Sequence, residues 1–409
     1  MSCPRCRMMI KIYVSCQDRQ TRTNINHIAE VQNKMATGLQ NELDGVLVVS
    51  IEQAVAAPYC GLLLADSGAR VLKIERPDGD FARGYDKGAD GQSSIFIWLN
   101  RGKESVCIDL SDADDFALLK RILARADVLI SNLSPGAMER RGLTGDILRK
   151  TNPGLITARI SGYGSSGPAA SKKAYDFLVQ GESGVVAVTG TEQAPARVGV
   201  SLTDLSTGLT AFSAILRALH MRYRTGKGVD LEVTMFDVMA DWMNMALCGH
   251  RYFGGAPGRT GLTHSFVAPY GSFETGDGKQ VLLSIQNDRE WADFCKQVLR
   301  QPELGDDPLY RHNTDRYANR EKMTIIINQA FAAYTKEELL GMLEQTRIAC
   351  ASLNSVEEVS AHPFLQNRTV HMGDTAIDIA DLPVRRQAGS VERAPLLGEH
   401  SQTIRQEFS

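Results

Sequence analysis

The sequence predicts an α/β protein, with a Rossmann-like parallel sheet in a large domain and a smaller α+β domain. Short apolar runs such as Val46–Ile51 and Val128–Ser131 are typical of strands buried on both faces. Amphipathic segments such as Asp112–Ala126 separate these runs, and alternating strands and helices favour a parallel sheet. A hairpin pattern near Thr275 followed by helical patterns indicates the second domain.

The first half of the chain contains most of the predicted sheet. Strands are predicted, in order, at Val46–Ile51, Arg70–Glu75, Ser105–Leu110, Val128–Ser131, Leu155–Ser161 and Asp230–Met235. Helices are predicted at Ala54–Leu64, Asp112–Ala126, Asp146–Lys150 and from Asp204 through Tyr223. The last of these is the longest, because its apolar residues keep helical spacing over the whole stretch.

The second half predicts a smaller α+β domain. A helix is expected at Asp237–Tyr252, a glycine-rich loop at Gly254–Gly261, and a hairpin with strands Pro269–Phe273 and Gln280–Ile285. Three helices follow, at Arg289–Leu299, Arg320–Ala333 and Lys336–Thr346. The predicted divisions are an N-terminal extension (1–40), the first part of the large domain (41–235), a linker helix with the glycine-rich loop (236–260), the small domain (261–350) and a return to the large domain (351–409).

Composition narrows the function classes. The 409 residues carry a net charge of −3, which argues against nucleic acid or an anionic membrane surface as a partner. No apolar run reaches the roughly 18 residues that a membrane-spanning helix needs. The eight cysteines include one CxxC pair, Cys3 and Cys6, without a second ligand pair, and the histidines lack paired spacing. No metal site is expected.

Residues 1–40 differ from the rest of the chain. They are polar and lack a sustained period, and Arg5, Arg7 and Lys11 precede the first acidic residue, Asp18. A disordered extension before a start at Met35 fits this pattern, and so does a mitochondrial presequence over residues 1–34. The expected location is therefore cytoplasmic, with the mitochondrial matrix as the alternative.

The segment Gly162–Gly167 matches the GxGxxG pattern of dinucleotide-binding proteins. That fingerprint belongs in the first βα turn of a sheet, whereas the first predicted strand here leads into a turn without glycine. We therefore interpret Gly162–Gly167 as a glycine-rich active-site loop, and a dehydrogenase is disfavoured.

Basic residues recur after the predicted strands of the large domain. Ligands of parallel sheets bind at the carboxyl ends of the strands, so cations there suit a phosphate-bearing ligand. Any one of them could equally be a solvated surface charge. The residues concerned are Lys73, Arg76, Arg83, Arg101, Lys103 and Arg140.

Asp204 stands at the junction between the segment Val198–Gly208 and the long helical pattern. A carboxylate at this position could attack a thioester carbonyl as a nucleophile. It could also cap the helix that follows. The residues around it leave both interpretations open.

Several stretches, taken in order and spacing, resemble one enzyme family. They are Gly68–Pro77, Gly79–Arg83, Asn100–Lys103, Asn132–Gly142, Ile160–Pro168, Ala174–Asp176, Gly199–Gly208 and Ala394–His400. From about residue 42 to its end the chain is similar to the class III coenzyme A transferases.

The resemblance implies roles for individual residues. Asp204 falls on the catalytic aspartate of the family. Contacts to CoA are implied for Val55, Arg76, Lys103, Asn132, Arg140, Lys173 and Tyr175. Tyr85 falls near the acyl site, and Gly258, Arg259 and Gly261 fall on a glycine-rich lid. The family further implies an interlocked homodimer and a CoA thioester as substrate, with no tightly bound cofactor.

The implied reaction moves CoA from an acyl-CoA, with succinyl-CoA the expected donor, to a carboxylic acid. Asp204 would form first a mixed anhydride and then an aspartyl-CoA thioester. The lid lacks the run of consecutive glycines of formyl-CoA transferases, which argues against oxalate as acceptor. Thr263–Tyr270 looks more like the succinyl-CoA-dependent dicarboxylate enzymes, and Arg83 or Arg259 could hold a second carboxylate.

Two other functions remain open at this stage. A 2-methylacyl-CoA racemase of the same fold would need a histidine between Asn100 and Asn132, and none occurs there. A non-catalytic CoA-thioester-binding protein would tolerate loss of the aspartate, but Asp204 is present.

Overall fold

A computed structural model describes residues 41–252, 254–384 and 393–409. The predicted extension, residues 1–40 with Cys3 and Cys6, lies outside the described residues. Over the described ranges, no helix has both the length and the apolar character needed to cross a bilayer.

The described residues form eleven strands and sixteen α-helices. The strands are β1 (Leu47–Ile51), β2 (Arg70–Glu75), β3 (Lys103–Cys107), β4 (Val128–Ser131), β5 (Ile156–Ser161), β6 (Asp230–Thr234), β7 (Tyr270–Glu274), β8 (Gln280–Ser284), β9 (Ala349–Ser352), β10 (Asn367–Met372) and β11 (Thr375–Ala380). The helices are α1 (Ala56–Asp66), α2 (Ser94–Asn100), α3 (Ala113–Leu123), α4 (Ala137–Arg140), α5 (Gly145–Leu148), α6 (Asp176–Glu182), α7 (Val185–Val188), α8 (Leu202–Thr225), α9 (Met235–Trp242), α10 (Asn244–Tyr252), α11 (Asp288–Phe294), α12 (Asn313–Ala318), α13 (Arg320–Phe331), α14 (Lys336–Gln345), α15 (Val356–Ser360) and α16 (Ser401–Glu407).

The chain divides into two compact units. The first contains the described residues up to Ser161 together with Leu205–Val233 and Gln366–Ser409. The second contains Gly162–Asp204 and Thr234–Leu365. Residues 162–204, which the sequence patterns place in the large domain, thus have most of their contacts within the second unit.

A six-stranded sheet forms the centre of the first unit and confirms the predicted α/β class. Its strand order is β3-β2-β1-β4-β5-β6. β1 pairs in parallel with β2 and β4, and the parallel pairing continues to β3 and β5. Val49, Leu72 and Leu129 are buried together with the apolar face of α3. This burial explains why β1 and β4 are almost wholly apolar.

The C-terminal segment covers the open edge of β3. The N–H of Ser105 donates to Nδ1 of His400 (3.2 Å), and the N–H of His400 donates to the Ser105 carbonyl (3.0 Å). The N–H of Cys107 donates to Oγ of Ser401 (2.9 Å). Because unpaired groups on an edge strand can recruit another strand, this cover protects the sheet from edge-to-edge pairing.

The second unit confirms the predicted smaller α+β part. β7 and β8 form the expected antiparallel hairpin, with Glu274 opposite Gln280, and β9 pairs antiparallel with β8. Trp291, Phe294 and Phe331 are almost completely buried in a core packed on this sheet. In the described ranges, β10 and β11 form a separate antiparallel pair in the first unit.

Several element boundaries differ from the predictions, and three of the differences have a distinct local cause or form. β3 begins at Lys103 and ends at Cys107, because Asp109 accepts hydrogen bonds from the N–H and hydroxyl of Ser111 and turns the chain. The predicted helix Asp237–Tyr252 is two helices, α9 and α10, separated at Met243. The predicted helix Arg289–Leu299 consists of α11 followed by a π-helical turn from Cys295.

The contact between α8 and α1 predicts a strong effect at Gly208. A Cβ atom there would lie 2.5 Å from the carbonyl oxygen of Ala56 and 3.1 Å from the ring of Tyr59. Gly208→Ala should therefore lower the free energy of unfolding by about 1–3 kcal/mol, since a backbone atom must move. Gly341→Ala is the matched control, because a Cβ at this helical position in α14 meets nothing within 4 Å. It should stabilise the protein by about 0.5–1 kcal/mol. Equal effects in urea denaturation would contradict the predicted contact.

Candidate active site

The turn between β1 and α1 lies at the carboxyl edge of the sheet. Ala54 has a φ of 65°, and Val55 caps α1 without a side-chain hydrogen bond. Asn132, which follows β4, accepts from the N–H of Gln53 (3.0 Å) and donates to its carbonyl (2.8 Å). The N–H of Ala54 donates to Oδ1 of Asp80 (3.2 Å). The turn is thus held from two sides, and the first N–H groups of α1 have no side-chain cap.

A buried ionic network supports this turn. Nζ of Lys73 lies 2.8 Å from Oδ2 of Asp80 and 3.3 Å from Oε1 of Glu52, and the three side chains are completely buried. Burial alone raises the pKa of Glu52, but the charges of Lys103 and Lys73 outweigh it and hold the pKa at about 2. Glu52 therefore remains ionised inside the protein.

Lys103 belongs to the same network. Its Nζ lies 2.5 Å from Oε1 of Glu52 and donates to the Pro58 carbonyl (2.8 Å) and to Oδ1 of Asn100 (3.0 Å). The side chain is completely buried. In this structure the ammonium group of Lys103 is therefore bonded to buried groups of the first unit.

A cavity of about 370 Å³ opens at the carboxyl ends of the first four strands. Its lining residues are Ile51, Glu52, Gln53, Ile74, Glu75, Arg76, Gly79, Asp80, Ile108, Leu110, Leu133, Ser134, Ala137, Arg140 and Arg141. The cavity occupies the position at which parallel sheets bind their ligands.

The charges around the cavity leave an excess of arginine. Its carboxylates are already paired, Glu52 and Asp80 with Lys73, and Glu75 with Arg83. Arg140 forms no ion pair with any described residue, and Arg76 faces only Asp78, at 3.3 Å, with both side chains largely exposed. The cavity therefore suits an anionic ligand such as a phosphate.

Arg83 is engaged within the first unit. Its guanidinium donates to both carboxylate oxygens of Glu75 (2.7 and 2.9 Å) and lies 3.9 Å from the ring centroid of Phe96. Tyr85, the predicted acyl-site residue, is 45% exposed, and its ring packs against Phe81.

Asp204 lies in the first turn of α8 and is partly buried. Oδ1 of Asp176 accepts hydrogen bonds from the N–H of Thr203 (2.8 Å) and of Asp204 (3.4 Å). Burial and the charge of Asp176 raise the pKa of Asp204 to about 7. Among the described residues, no cation forms an ion pair with Asp204. Its carboxylate is therefore a strong base for its type.

Lys173 and Tyr175 precede α6 in the second unit. Tyr175 is 62% exposed, and Lys173 forms no ion pair with a described residue. The neighbouring Lys172 is instead paired with Glu182, which also accepts a hydrogen bond from Tyr163 of the GxGxxG segment. Lys173 thus keeps a free charge beside an exposed aromatic ring.

The glycine-rich loop is tied to the segment after α7. Nε of Arg259 donates to the Thr191 carbonyl (2.9 Å) and Nη2 to the Glu192 carbonyl (3.0 Å). The N–H of Gly261 donates to the Gly190 carbonyl (2.9 Å), whereas Gly258 is free of crowding around its Cα. In this conformation the guanidinium of Arg259 donates its hydrogen bonds to backbone carbonyls.

The structure groups the predicted residues unit by unit. In the first unit, Val55, Arg76, Asn132 and Arg140 gather at the carboxyl edge of the sheet. In the second unit, Asp204, Lys173 and Tyr175 lie around the start of α6. Within the described part of the chain, no group of three or more histidine, cysteine or acidic residues could hold a metal ion.

Sequence reasoning missed the residues that hold the predicted ones in place. Asp176 on α6 binds the backbone next to Asp204, and Asp80 after β2 binds the backbone next to Val55. Gln180 on α6 in turn donates to the carboxylate of Asp176. A signal for Asp176 was present, since it ends the Ala174–Asp176 stretch of the family resemblance. Its partner Thr203 is remote in sequence, and spacing alone does not reveal that contact.

Comparison with known proteins identifies the relatives of this chain. A sequence model of CoA-transferase family III matches residues 43–401. The acetyl-CoA:oxalate CoA-transferase of Acetobacter aceti is 35% identical over 90% of this chain and 95% of its own length. The succinyl-CoA:glutarate CoA-transferase of Mus musculus is 32% identical over 89% and 86%. The crystal structure of a CAIB/BAIF family protein from Brucella suis has a TM-score of 0.79 at 31% identity, covering 90% of this chain and 99% of its own.

Proposed function

The chain belongs to CoA-transferase family III, and from this premise we propose that it moves CoA from succinyl-CoA to a dicarboxylic acid through Asp204. That it is a CoA-transferase follows from its family and its relatives. The partly buried carboxylate of Asp204, with its raised pKa and no described cation beside it, carries the proposal for the nucleophile. Such a group is more basic than an ordinary aspartate and becomes neutral when it is acylated.

In the proposed reaction, a carboxylate oxygen of Asp204 attacks the thioester carbonyl of the donor. The C–S bond breaks, CoA thiolate leaves with the electron pair, and a mixed anhydride remains on Asp204. The thiolate then attacks the carboxyl carbon of Asp204. The anhydride C–O bond breaks, which releases the donor acid and leaves an aspartyl-CoA thioester.

The second half of the reaction reverses these steps with the acceptor. The acceptor carboxylate attacks the aspartyl thioester and expels CoA thiolate, which forms a new mixed anhydride. The thiolate attacks the acyl carbon of the acceptor, and the new acyl-CoA leaves with Asp204 restored as a carboxylate. Because CoA must stay bound through both halves, a distant anchor for its phosphates is essential.

The cavity at the sheet edge is the proposed anchor. Its arginines, Arg76 and Arg140, are not neutralised by buried acids, and α1 begins beside them without a side-chain cap. Arginine side chains and uncapped helix N-termini both bind phosphate groups. The nucleotide end of CoA would lie there, with Asn132 and Val55 shaping the β1–α1 turn.

Neutralising these arginines should weaken CoA binding. Arg76→Met and Arg140→Met are each expected to raise KM for the acyl-CoA by about 10-fold, since each loses a charge-assisted phosphate contact. The turnover number should change little, because a contact to the nucleotide stabilises the bound substrate and the transition state alike. Lys150→Met, which removes an exposed cation away from the cavity, is the control and should keep the parent KM. Unchanged KM values in both arginine variants would place the nucleotide elsewhere.

A dicarboxylic acceptor is supported by the relatives. Both oxalate and glutarate, the acceptors in the names of the two enzymes above, are dicarboxylic acids. For the second carboxylate, Arg83 and Arg259 are already bonded to Glu75 and to backbone carbonyls. Either arginine would have to exchange these bonds to hold a substrate.

We further propose that the chain works as an interlocked homodimer. Large apolar side chains are strongly exposed on the described surface: Tyr223 is 91%, Phe364 83% and Val356 82% exposed. A second copy would remove such groups from water. Sedimentation analysis should then give twice the chain mass of 44.8 kDa. A single-chain mass at all concentrations would overturn the dimer.

An exchange assay tests the proposed function directly. Purified protein is incubated with succinyl-CoA and, one at a time, with oxalate, glutarate and longer diacids, and with acetate and butyrate as matched monoacids. Mass spectrometry reads each new acyl-CoA. New thioesters of diacids alone would support the proposal. Exchange with monoacids only would overturn the dicarboxylate specificity, and α-proton exchange without transfer would favour the racemase.

A further inference from the structure

We propose that Asp176 is the positioning residue of Asp204: it holds the first turn of α8 by the backbone amides and keeps a second negative charge beside the nucleophile. The inference rests on the proposed role of Asp204 and deepens it. It assigns a function to a residue that itself need not touch substrate.

The first observation is a helix cap supplied from another helix. α8 begins at Leu202, and the first N–H groups of a helix have no partners within that helix. Oδ1 of Asp176, at the start of α6, accepts from the N–H of Thr203 at 2.8 Å and of Asp204 at 3.4 Å. The backbone of the nucleophile is therefore tied to α6 rather than to the residues just before it.

The second observation is that Asp176 is itself fixed. Gln180 lies one turn further along α6 and is completely buried. Its Nε2 donates to Oδ2 of Asp176 (2.8 Å), and its Oε1 accepts from the N–H of Val198 (2.9 Å). Asp176, Gln180 and the segment that leads into α8 thus form one hydrogen-bonded unit, which defines where Asp204 stands.

The third observation is the charge balance around Asp204. On α8 the next charged residue is Arg217, more than three turns away. On α6, Glu182 is paired with Lys172, and α9, which packs on α6, contributes only the exposed Asp237 and Asp241.

In the segment just before α8, the guanidinium of Arg197 donates to the Gly199 carbonyl (3.0 Å) and lies 5.9 Å from the ring centroid of Phe177. Among the described groups, none of these cations forms an ion pair with Asp176 or Asp204. Lys173, three residues before Asp176, likewise forms no ion pair with either carboxylate. The two carboxylates therefore repel each other without a described ion-pair partner, in a site where burial strengthens the repulsion.

This repulsion has a direct chemical consequence. Asp204 loses its negative charge when its oxygen forms the anhydride, and it remains neutral as the CoA thioester. The repulsion from Asp176 therefore disappears in both covalent intermediates but is present in the free carboxylate. Asp176 shifts the equilibrium toward acylated Asp204 and keeps the ionised nucleophile basic.

Asp176→Asn removes the charge and keeps the cap, because the amide oxygen can still accept from the N–H of Thr203. The amide nitrogen gives up the bond from Nε2 of Gln180. In the unaltered enzyme, kcat/KM should fall as pH drops through about 7, where Asp204 takes up a proton. In the Asn variant this acidic limb should move down by at least about one pH unit, since a like charge has been removed. Asp176→Ser, a second neutral cap, should move the limb in the same direction.

Two controls separate this role from general damage to the fold. Asp176→Glu keeps the charge and should leave the limb near pH 7. Asp237→Asn makes the same substitution in the first turn of α9 and should leave the whole profile unchanged. An unmoved limb in both neutral Asp176 variants would overturn the proposal.

A mass measurement distinguishes failure of this inference from failure of the proposed function. The unaltered chain is mixed with succinyl-CoA, digested, and searched for an acyl or CoA adduct on Asp204. No adduct and no exchange would overturn the nucleophile and this role together. An adduct on Asp204 with an unmoved limb in the variants would overturn only the role of Asp176.

Discussion

Replacing Asp204 with asparagine is expected to reduce CoA transfer by at least about 10³-fold, because an amide of the same shape cannot form the anhydride. Binding of CoA should persist, since the proposed anchor is the separate cavity at the edge of the sheet. Exchange is measured by mass spectrometry of new acyl-CoA, and binding by titration calorimetry with CoA. Transfer within a few-fold of the parent rate would exclude Asp204 as the nucleophile.

The same variant makes a prediction about stability that shows whether it is folded. The pKa of Asp204 is raised from 3.8 to about 7, so the folded state holds a proton that the unfolded state releases across this range. Stability from this group is therefore present at low pH and is lost as pH rises toward 7. Asp204→Asn should melt at a higher temperature than the parent at pH 8 and at a similar temperature near pH 4. A lower melting temperature at pH 8 would contradict the raised pKa.

Breaking the buried ionic network should have the largest effect on stability. Lys73→Met leaves Asp80 and Glu52 completely buried without one of their cations, which typically costs about 3–5 kcal/mol. Urea denaturation of the whole chain, followed by far-ultraviolet circular dichroism, measures the loss in the free energy of unfolding. Because Asp80 also holds Ala54, transfer activity should fall together with stability.

Two further variants control for this effect. Lys279→Met removes a lysine whose ion pair with Glu337 is exposed, so it should leave unfolding unchanged. Adding Asp80→Asn to Lys73→Met should recover part of the loss, since it removes one uncompensated charge. A loss in Lys279→Met equal to that in Lys73→Met would show that burial of the network is unimportant.

The charges of Lys103 and Lys73 also hold the pKa of Glu52 at about 2. The contribution of Glu52 to stability is therefore present above pH 4.5 and is lost as pH falls toward 2.

Much of the fold could be predicted from local patterns. The apolar runs that became β1 and β4 are buried on both faces, so nearly every position carries the signal. The β7–β8 hairpin was predicted for a similar reason, because its turn residues and strand lengths are local in sequence. The short helices α2 and α6 escaped prediction, because each has only seven residues and too few turns to show a helical period.

The candidate site was predictable only in part. Asp204 stands in a distinctive stretch beside a long helical pattern, so its position could be recognised. The burial of Lys103 could not, because a lysine in sequence gives no sign of whether an internal carboxylate will meet it. The engagement of Arg83 with Glu75 was equally hidden, although only eight residues separate them.

The sequence by itself determined the family, the α/β class and the aspartate to which the chemistry is assigned. The tertiary structure alone decided which charged side chains form ion pairs with buried groups and which do not. Lys73, Lys103 and Arg83 pair with buried acids, whereas Arg140 pairs with no described acid and Arg76 only with the exposed Asp78. The physical reason is that ionisation and binding depend on burial and on distances of a few ångströms between residues that are remote along the chain. Asp176 and Asp204 show this most clearly, since 28 residues separate the carboxylate of Asp176 from the backbone N–H of Asp204 that it accepts from.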